Sequence, residues 1–248
     1  MKNFASIIEA RMNSKRLPGK ILYKANNKTF LNHLINRLKK VKQINKIILA
    51  TTLNPLDDIL VKEAKKNKIL FFRGSEYDVK KRVLDTAIKF KVKNIVGITS
   101  DCPVIDPNLI SQVIDTFQYN KVDFVSNHDF RSYPDGMDIA VYKTSVLKKS
   151  YKLTKSSFYR EHTTLFIKHN KKIFKQINIV APTDLFWPNL GLTLDEYSDY
   201  LLLKKIIENF GKKGKKFFSC KDVINFLRKN PKLLKINSKV TRKKISYK

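Results

Sequence analysis

Short apolar segments rich in β-branched residues alternate with segments of helical period through the first half of the chain. This pattern predicts strands at residues 4–8, 47–51, 69–72, 95–99 and 122–126. Helices are predicted between them at residues 30–41, 54–67, 78–90 and 107–119. The alternation constrains the chain to the α/β class with right-handed crossovers. We expect a Rossmann-like three-layer α/β/α domain with a mostly parallel mixed sheet.

The second half of the chain is less regular and carries a turn signal at Tyr133-Pro134-Asp135-Gly136. Strands are predicted at residues 139–142, 173–180 and 190–194, and helices at residues 158–169, 197–210 and 221–229. Residues 212–216 form a charged linker, and the last dozen residues a basic tail. We therefore expect a main domain over residues 1–211 and a C-terminal helical appendage with its tail over residues 212–248.

The formal net charge of +30 raises the hypothesis of a nucleic-acid partner. However, only nine of the 51 basic residues are arginine, the side chain that recognises phosphates and bases in bidentate fashion. The lysine excess is typical of solvated surfaces encoded by an AT-rich genome. Because the sequence has no zinc spacing, helix-turn-helix or aromatic-basic RNA-binding pattern, a nucleic-acid-binding module is the alternative, and no nucleic acid is the expectation.

Other classes of protein are excluded by composition. The 42% apolar content and 16 phenylalanines can build a core, so the chain is not a disordered basic segment. No apolar run approaches the ~20 residues of a membrane span, and no signal peptide is readable. The two cysteines cannot supply a disulfide framework. We expect a cytoplasmic protein.

The loop after the first predicted strand is rich in cations. Residues 10–20 contain two of the nine arginines and two lysines, which are Arg11, Lys15, Arg16 and Lys20. Asn13, Ser14 and backbone N–H groups can add hydrogen bonds to an anion. The loop matches neither a Walker sequence nor the dinucleotide G-x-G-x-x-G pattern. A charged surface loop is the alternative, but ligands in parallel α/β sheets bind at this position, which favours a phosphate site.

Two carboxylates follow predicted strands. Asp101 comes just after the fourth strand, and Asp195 follows the segment 190–194 before a helix. Mg²⁺ commonly takes one or two carboxylates together with phosphate oxygens, although a turn cap or an N-cap would also explain these acids. Asp106, before Pro107, is predicted to cap the next helix, and Asp199 to lie on the exposed helix surface.

Residues 7–20, Ile-Ile-Glu-Ala-Arg-Met-Asn-Ser-Lys-Arg-Leu-Pro-Gly-Lys, resemble the opening signature of sugar-activating cytidylyltransferases. The most similar group is that of spore-coat polysaccharide biosynthesis protein F, related to the acylneuraminate and Kdo cytidylyltransferases. That group usually has Gln and Gly where Glu9 and Asn13 stand here. The resemblance extends over residues 4–208 and resumes weakly over residues 218–237. It includes Asp-Cys-Pro-Val-Ile-Asp-Pro from Asp101 and Leu-Thr-Leu-Asp ending at Asp195.

The resemblance implies a nucleotidyltransferase fold and a set of site residues. Nucleotide binding would fall to Ala10, Arg11, Asn13, Ser14, Arg16, Lys20 and Ser75, with Arg11 and Lys20 on the phosphates. Mg²⁺ would be held by Asp101 and Asp195, and the catalytic residues would be Arg11, Lys20 and Asp101. Substrate contacts would come from Asp135, Asp138, Arg160 and His162. A homodimer through an arm at residues 129–175 is also implied.

The function implied is transfer of CMP from CTP to a sugar, releasing pyrophosphate, for surface polysaccharide or glycan synthesis. The acceptor expected from the resemblance is the anomeric hydroxyl of a nonulosonic acid. Another nucleotide, or a sugar or polyol phosphate acceptor, is the enzymatic alternative. A glycosyltransferase of similar fold would usually carry an Asp-x-Asp motif, which Asp101-Cys102-Pro103 does not provide.

Overall fold

The alternating segments form a layered α/β structure in a computed structural model, which describes residues 4–214 and 217–242. Within these residues the strands are β1 (Phe4–Glu9), β2 (Lys24–Ala25), β3 (Lys28–Thr29), β4 (Ile44–Thr52), β5 (Leu70–Gly74), β6 (Asn94–Thr99), β7 (Phe124–Ser126), β8 (Ala140–Lys143) and β9 (Gln176–Asn178). The helices are α1 (Phe30–Leu38), α2 (Asp58–Lys66), α3 (Val79–Lys89), α4 (Pro107–Tyr119), α5 (Thr144–Leu153), α6 (Ser157–Glu161), α7 (Leu165–His169), α8 (Tyr197–Lys212) and α9 (Cys220–Lys229).

Seven of the described strands form one sheet in the order β5-β4-β1-β6-β8-β7-β9, with β8 antiparallel to its neighbours. The prediction of a mostly parallel mixed sheet between helices is confirmed. β1 lies inside the sheet between β4 and β6, where Glu9 pairs with Ala50 of β4 and with Thr99 of β6. The loops that follow β1 and β6 therefore leave the same edge of the sheet side by side, which brings distant parts of the sequence together.

Each face of the sheet is buried by its own set of helices. Phe4 and Ile8 of β1 point to one face, whereas Ala5 and Ile7 point to the other, because side chains alternate along a strand. The first face is covered by α1, α4, α8 and α9, which contribute Leu31, Leu34, Ile110, Val113, Leu202, Leu203, Val223 and Ile224. The second is covered by α3, α5 and α7, which contribute Val83, Leu84, Leu147 and Ile167.

The C-terminal residues pack on the first face. Val223 and Leu227 of α9 are fully buried in its core. Arg37 of α1 donates to the carbonyls of Ile105 (3.1 Å) and Phe218 (2.9 Å). The predicted cap at Asp106 is confirmed, since its Oδ1 accepts from Asn108 N at 2.9 Å, and its Oδ2 also accepts from Cys220 N at 2.7 Å. Residues 215 and 216 of the predicted linker and residues 243–248 of the basic tail lie outside the described residues.

Several predicted elements differ from the structure. The single helix predicted at residues 158–169 is two short helices, α6 and α7, because His162 is extended and the β-branched Thr163 side chain is used in a contact with β1. The strand predicted at residues 190–194 is wrong: the segment makes one isolated bridge, between Asp135 and Gly191. Helix α5 was not predicted, since its apolar face is limited largely to Val146 and Leu147 among lysines.

The turn at Gly136 gives a testable prediction of stability. Gly136 has a φ of +104°, and a Cβ there would lie 2.5 Å from the Leu192 carbonyl carbon and oxygen. We expect Gly136→Ala to lower the free energy of unfolding by about 3 kcal/mol or more, because strain and a backbone clash add. Gly214 is the matched control, with a φ of +67° and open space around its Cβ position. Gly214→Ala should cost only about 1 kcal/mol, and equal losses in urea unfolding would contradict the steric argument.

Candidate active site

The cationic loop after β1 is held in place by a residue that sequence reasoning missed. The buried Asp57 carboxylate accepts a hydrogen bond from Met12 N at 2.7 Å and from Thr52 N at 3.2 Å. Gly19, with a φ of +67°, donates its N–H to Met12 O at 3.0 Å and closes the loop. Left-handed backbone of this kind is natural for glycine. The loop therefore returns to the sheet edge and directs the next residue, Lys20, inward.

Lys20 joins the two carboxylates that the sequence singled out. Its side chain is buried, with Nζ 3.0 Å from Asp101 Oδ2 and 3.2 Å from Asp195 Oδ1. The same ammonium donates to Leu194 O at 2.5 Å. Asp101 and Asp195 thus converge on a single cation, although 94 positions separate them in the chain. The structure brings Lys20, Asp101 and Asp195 together as one group.

Arg16 extends this group toward solvent. Its guanidinium lies 2.8 Å from Asp195 Oδ1 and 3.8 Å from Glu196 Oε1. Four further predicted nucleotide residues occupy the same loop, with Ala10 buried, Arg11 and Ser14 half-buried and Asn13 exposed. The loop thus presents cationic and polar groups beside two carboxylates, an arrangement suited to a phosphate chain with a cation bound between phosphate and carboxylate.

Burial makes the Asp101 carboxylate costly to keep charged. Its pKa is raised by desolvation, which outweighs the lowering effect of the Lys20 ammonium, and the Asp195 carboxylate raises it further. Two like charges near one another in a partly dry site repel, and a cation between them offsets this repulsion. Binding of a divalent cation would therefore stabilise the charged form of the Asp101 carboxylate.

These residues fit the magnesium ion that the resemblance implies. Within the described residues, no group of three His, Cys, Asp or Glu side chains could form an all-protein cage for a metal. Mg²⁺ rarely uses such a cage and more often takes one or two carboxylates together with phosphate oxygens and water. Asp101 and Asp195 supply this donor set beside a phosphate-binding loop, and both already face a single cation, Lys20.

The segment before α8 departs from what the sequence predicted. Asp195 is not the N-cap of α8, since that position is Glu196 and a capping box joins it to Asp199. The prediction that Asp199 lies on the exposed helix surface is wrong, because its side chain is fully buried. Its Oδ2 accepts from Asp195 N at 3.1 Å and from Glu196 N at 2.9 Å. Asp199 is therefore used to shape the turn that carries Asp195.

The two carboxylates of the acidic turn predicted for the substrate side share one arginine. Arg131 binds Asp135 Oδ1 at 2.9 Å and Asp138 Oδ2 at 2.9 Å. Asp135 also exchanges backbone hydrogen bonds with the segment that leads to Asp195, since its N–H donates to Leu190 O at 2.9 Å. The pKa of Asp138 is raised by burial despite the Arg131 charge. The turn therefore lies beside the segment that carries Asp195. A role of Asp135 and Asp138 in substrate contact stays a prediction.

The other predicted site residues lie around α3 and α6. Ser75 Oγ accepts from Asp78 N at 3.0 Å, before α3 begins. Arg160 binds Asp78 at 3.3 Å and stacks on the Tyr151 ring at 3.2 Å from its centroid. The His162 ring packs edge-on against Phe158, with centroids 5.1 Å apart. For Ser75, Arg160 and His162 these are structural contacts, and the roles proposed from sequence stay predictions.

Glu9 is the last residue of β1, and its side chain contacts the connection between α6 and α7. Its Oε1 accepts from Thr163 Oγ1 at 3.0 Å. Burial raises the pKa of the Glu9 carboxyl, and the Asp101 charge raises it as well, whereas Arg82 and the Thr163 hydroxyl lower it. The carboxylate that replaces the usual glutamine of the related group is thus bound to the α6–α7 connection.

A half-buried histidine beside Lys168 predicts a pH dependence of stability. Lys168 Nζ lies 3.4 Å from His128 Nδ1, where its positive charge disfavours a proton on the ring. Burial, with the Lys168 and Arg131 charges, lowers the pKa of His128 to about 3. The unfolded chain, with a pKa near 6.5, then binds the extra proton, so stability should fall as pH drops from about 6.5 toward 3.

We expect His128→Gln to lose less stability than the wild type between pH 7 and pH 5. The difference should be about 1 to 2 kcal/mol, discounted for the partial exposure of the ring, because one proton is worth at most about 1.4 kcal/mol per pH unit. Urea unfolding at the two pH values measures it. Equal losses in both proteins would show that His128 does not titrate differently on unfolding.

The central parallel strands, the cationic loop after β1 and the two carboxylates facing Lys20 fit an α/β nucleotidyltransferase. A family model described as cytidylyltransferase matches residues 5–243. The chain belongs to the cytidylyltransferase family and is a nucleotidyltransferase.

Three similar proteins illustrate this membership. A cytidylyltransferase structure from Leptospira borgpetersenii superposes with a TM-score of 0.91 and 33% identity, covering 98% of this chain and 100% of that one. The spore coat polysaccharide biosynthesis protein SpsF of Bacillus subtilis is 29% identical over 93% of this chain and 96% of its own. The 8-amino-3,8-dideoxy-manno-octulosonate cytidylyltransferase of Shewanella woodyi is 31% identical over 49% of this chain and 50% of its own.

Proposed function

We propose that the protein is a Mg²⁺-dependent enzyme that transfers CMP from CTP to a sugar acid and releases pyrophosphate, for the synthesis of a surface glycan. The observation that carries this proposal is the convergence of Asp101 and Asp195 on the Lys20 ammonium, at 3.0 and 3.2 Å, beside the cationic loop. Phosphoryl-type transfers depend chiefly on positioning and on neutralising charge, and this group of residues supplies both.

The loop residues would bind the nucleotide. Arg11, Arg16 and Lys20 would hold the phosphates and neutralise the leaving pyrophosphate, as preorganised cations do in such sites. Asp101 and Asp195 would hold Mg²⁺, which supplies polarisation of phosphate oxygens and charge neutralisation when bound. The anchoring of the loop through Asp57 supports this, because its carboxylate holds the backbone of Met12 in the middle of the loop.

The reaction proposed is a substitution at the α-phosphorus of CTP. The acceptor hydroxyl oxygen forms a bond to this phosphorus, the bond from phosphorus to the oxygen bridging the α- and β-phosphates breaks, and pyrophosphate leaves. The hydroxyl proton passes to solvent or to a nearby base. The octulosonate named for the Shewanella woodyi relative favours a sugar acid as acceptor, although that relative matches only half of the chain. The turn at Asp135 and Asp138, with Arg131, is where we place the sugar.

Pyrophosphate release tests the proposal. CTP, UTP, ATP and GTP would each be offered with Mg²⁺ and with a panel of nonulosonic acids, octulosonic acids, sugar phosphates and polyol phosphates. We expect turnover with CTP and a sugar acid. Turnover with another nucleotide or with a phosphate acceptor would replace the substrate assignment, and no turnover with any nucleotide would refute the proposed function.

Two simpler measurements separate this proposal from the nucleic-acid alternative. CTP with Mg²⁺ should raise the melting temperature, and this effect should be lost in Asp101→Ala. A nucleic-acid-binding module would instead show affinity that falls steeply with salt and does not depend on Asp101.

The homodimer through residues 129–175 stays a prediction, which sedimentation analysis would test. None of the helices in residues 4–214 and 217–242 is long and apolar enough to cross a membrane.

A further inference from the structure

The buried carboxylate of Asp199 accepts hydrogen bonds from its own turn and from a segment near the C-terminus. From its own turn it accepts the N–H groups of Asp195 and Glu196. From the C-terminal segment it accepts Asn237 Nδ2 at 2.8 Å and the Arg242 guanidinium at 2.9 and 2.6 Å. Burial alone would raise the pKa of Asp199, but the hydrogen bonds from Arg242, Asn237 and Glu196 N lower it overall. Asp199 is thus a charged buried anchor, not a surface acid.

The C-terminal segment reaches this anchor through a gap left by a glycine. A Cβ at Gly191 would lie 2.0 Å from Arg242 Nη2. Asn237 Nδ2 also donates to Gly191 O at 3.0 Å, so the same amide joins both sides of the segment that ends at Asp195. Any side chain larger than hydrogen at residue 191 would displace the Arg242 guanidinium.

Arg242 also touches the site directly. Its Nη1 lies 3.7 Å from Asp195 Oδ2, while Arg16 and Lys20 contact Asp195 Oδ1. The arginine therefore fixes Asp195 in two ways: through Asp199 it holds the backbone N–H of Asp195, and through its charge it orients the second carboxylate oxygen. Partners that orient a metal-binding carboxylate commonly change metal affinity 10- to 100-fold when removed.

We infer that Asn237 and Arg242 are positioning residues for Asp195, so that the C-terminal segment is a working part of the metal and nucleotide site. This inference rests on the proposed function, since it gives Asp195 the role of a Mg²⁺ ligand. The segment acts through Asp199 and Gly191, and the C-terminal residues 217–242 therefore contribute to the site as well as to the core.

The test compares Arg242→Met, Arg242→Lys and Asn237→Ala with a matched control, Arg228→Met. Arg228 belongs to the same segment but faces the Trp187 ring at 5.6 Å. Amide hydrogen exchange in the protein without metal or nucleotide would be read at the N–H groups of Asp195 and Glu196. Affinity for Mn²⁺, used as the probe metal, would be measured without nucleotide, and the Mg²⁺ dependence of turnover separately.

We expect Arg242→Met to speed exchange at Asp195 and Glu196 at least 10-fold and to weaken Mn²⁺ binding 10- to 100-fold. Arg242→Lys should recover part of the loss, Asn237→Ala should show a smaller effect of about 3- to 10-fold, and Arg228→Met none. Should Arg242→Met not fold, Asn237→Ala carries the test alone.

Exchange and Mn²⁺ affinity equal to those of Arg228→Met would overturn the inference while leaving the proposed function intact. A wild type that binds no Mn²⁺ and turns over no nucleotide would overturn both. The two failures are therefore distinguished by the wild type itself.

Discussion

Replacing Asp101 with asparagine is expected to lower kcat/KM for CTP at least 1,000-fold, equivalent to about 4 kcal/mol of transition-state stabilisation. The amide keeps the shape of the carboxylate but loses the charge that would hold Mg²⁺ between the protein and the phosphates. The folded state should not suffer. Because burial raises the pKa of Asp101, the charged carboxylate is unfavourable in the folded protein at neutral pH, and the neutral amide should keep or raise the melting temperature.

The control for this prediction is Asp106→Asn, the same substitution five positions after Asp101. Asp106 accepts two backbone N–H groups with its two carboxylate oxygens, at 2.9 and 2.7 Å, and asparagine can accept with only one of them. Asp106→Asn should therefore cost about 1 to 2 kcal/mol of stability and leave the kinetics of the folded enzyme unchanged. Steady-state kinetics and thermal unfolding of both variants measure this opposite behaviour. An active Asp101→Asn enzyme would exclude Asp101 from catalysis.

Replacing Lys20 with methionine should reduce kcat/KM by about 100- to 1,000-fold, because a preorganised cation is lost from the phosphate site. The substitution also leaves Asp101 and Asp195 without the ammonium they share at 3.0 and 3.2 Å. Without this ammonium the two carboxylates repel each other more strongly. The variant should therefore bind a divalent cation more tightly than the wild type does. We therefore expect Mg²⁺ without nucleotide to raise the melting temperature of Lys20→Met more than that of the wild type.

A surface lysine provides the comparison. Lys81 pairs with Asp85 on the exposed side of α3, at 2.5 Å, and such pairs contribute at most about 1 kcal/mol. Lys81→Met should leave both the kinetics and the response to Mg²⁺ unchanged. If Lys20→Met kept wild-type kcat/KM, its ammonium would be a structural partner of the two acids and not a nucleotide-binding group.

The strand–helix alternation was sufficient to predict the sheet because the buried side of each strand and helix shows in its sequence period. The same reasoning failed at residues 190–194. Leu190, Leu192 and Leu194 are buried at 4%, 0% and 0% exposure, as in a strand, yet the segment has only one bridge. An apolar run reports burial, and burial does not distinguish a strand from an irregular segment that is covered on both sides.

The site was predictable to the extent that it follows strand ends. Lys20, Asp101 and Asp195 could be proposed from their positions after β1, after β6 and before α8. Asp57 could not, because its partner Met12 lies 45 residues away and a lone Asp before a helix has the pattern of a cap. Asp199 was predicted on the surface for a similar reason. The helical period does not show which residue pairs with it, and its partner Arg242 is 43 residues further on.

The sequence by itself therefore determined the α/β class, the cationic loop and the positions of Asp101 and Asp195, since these depend on local period, on the end of a strand and on the start of a helix. Only the tertiary structure decided that the Lys20 ammonium lies between Asp101 and Asp195, and that Arg242 reaches Asp199 past Gly191. Contacts of this kind join residues as many as 175 positions apart. These contacts form because buried charges must be paired when the layers of the fold pack together. A local sequence pattern does not show which residues will pair.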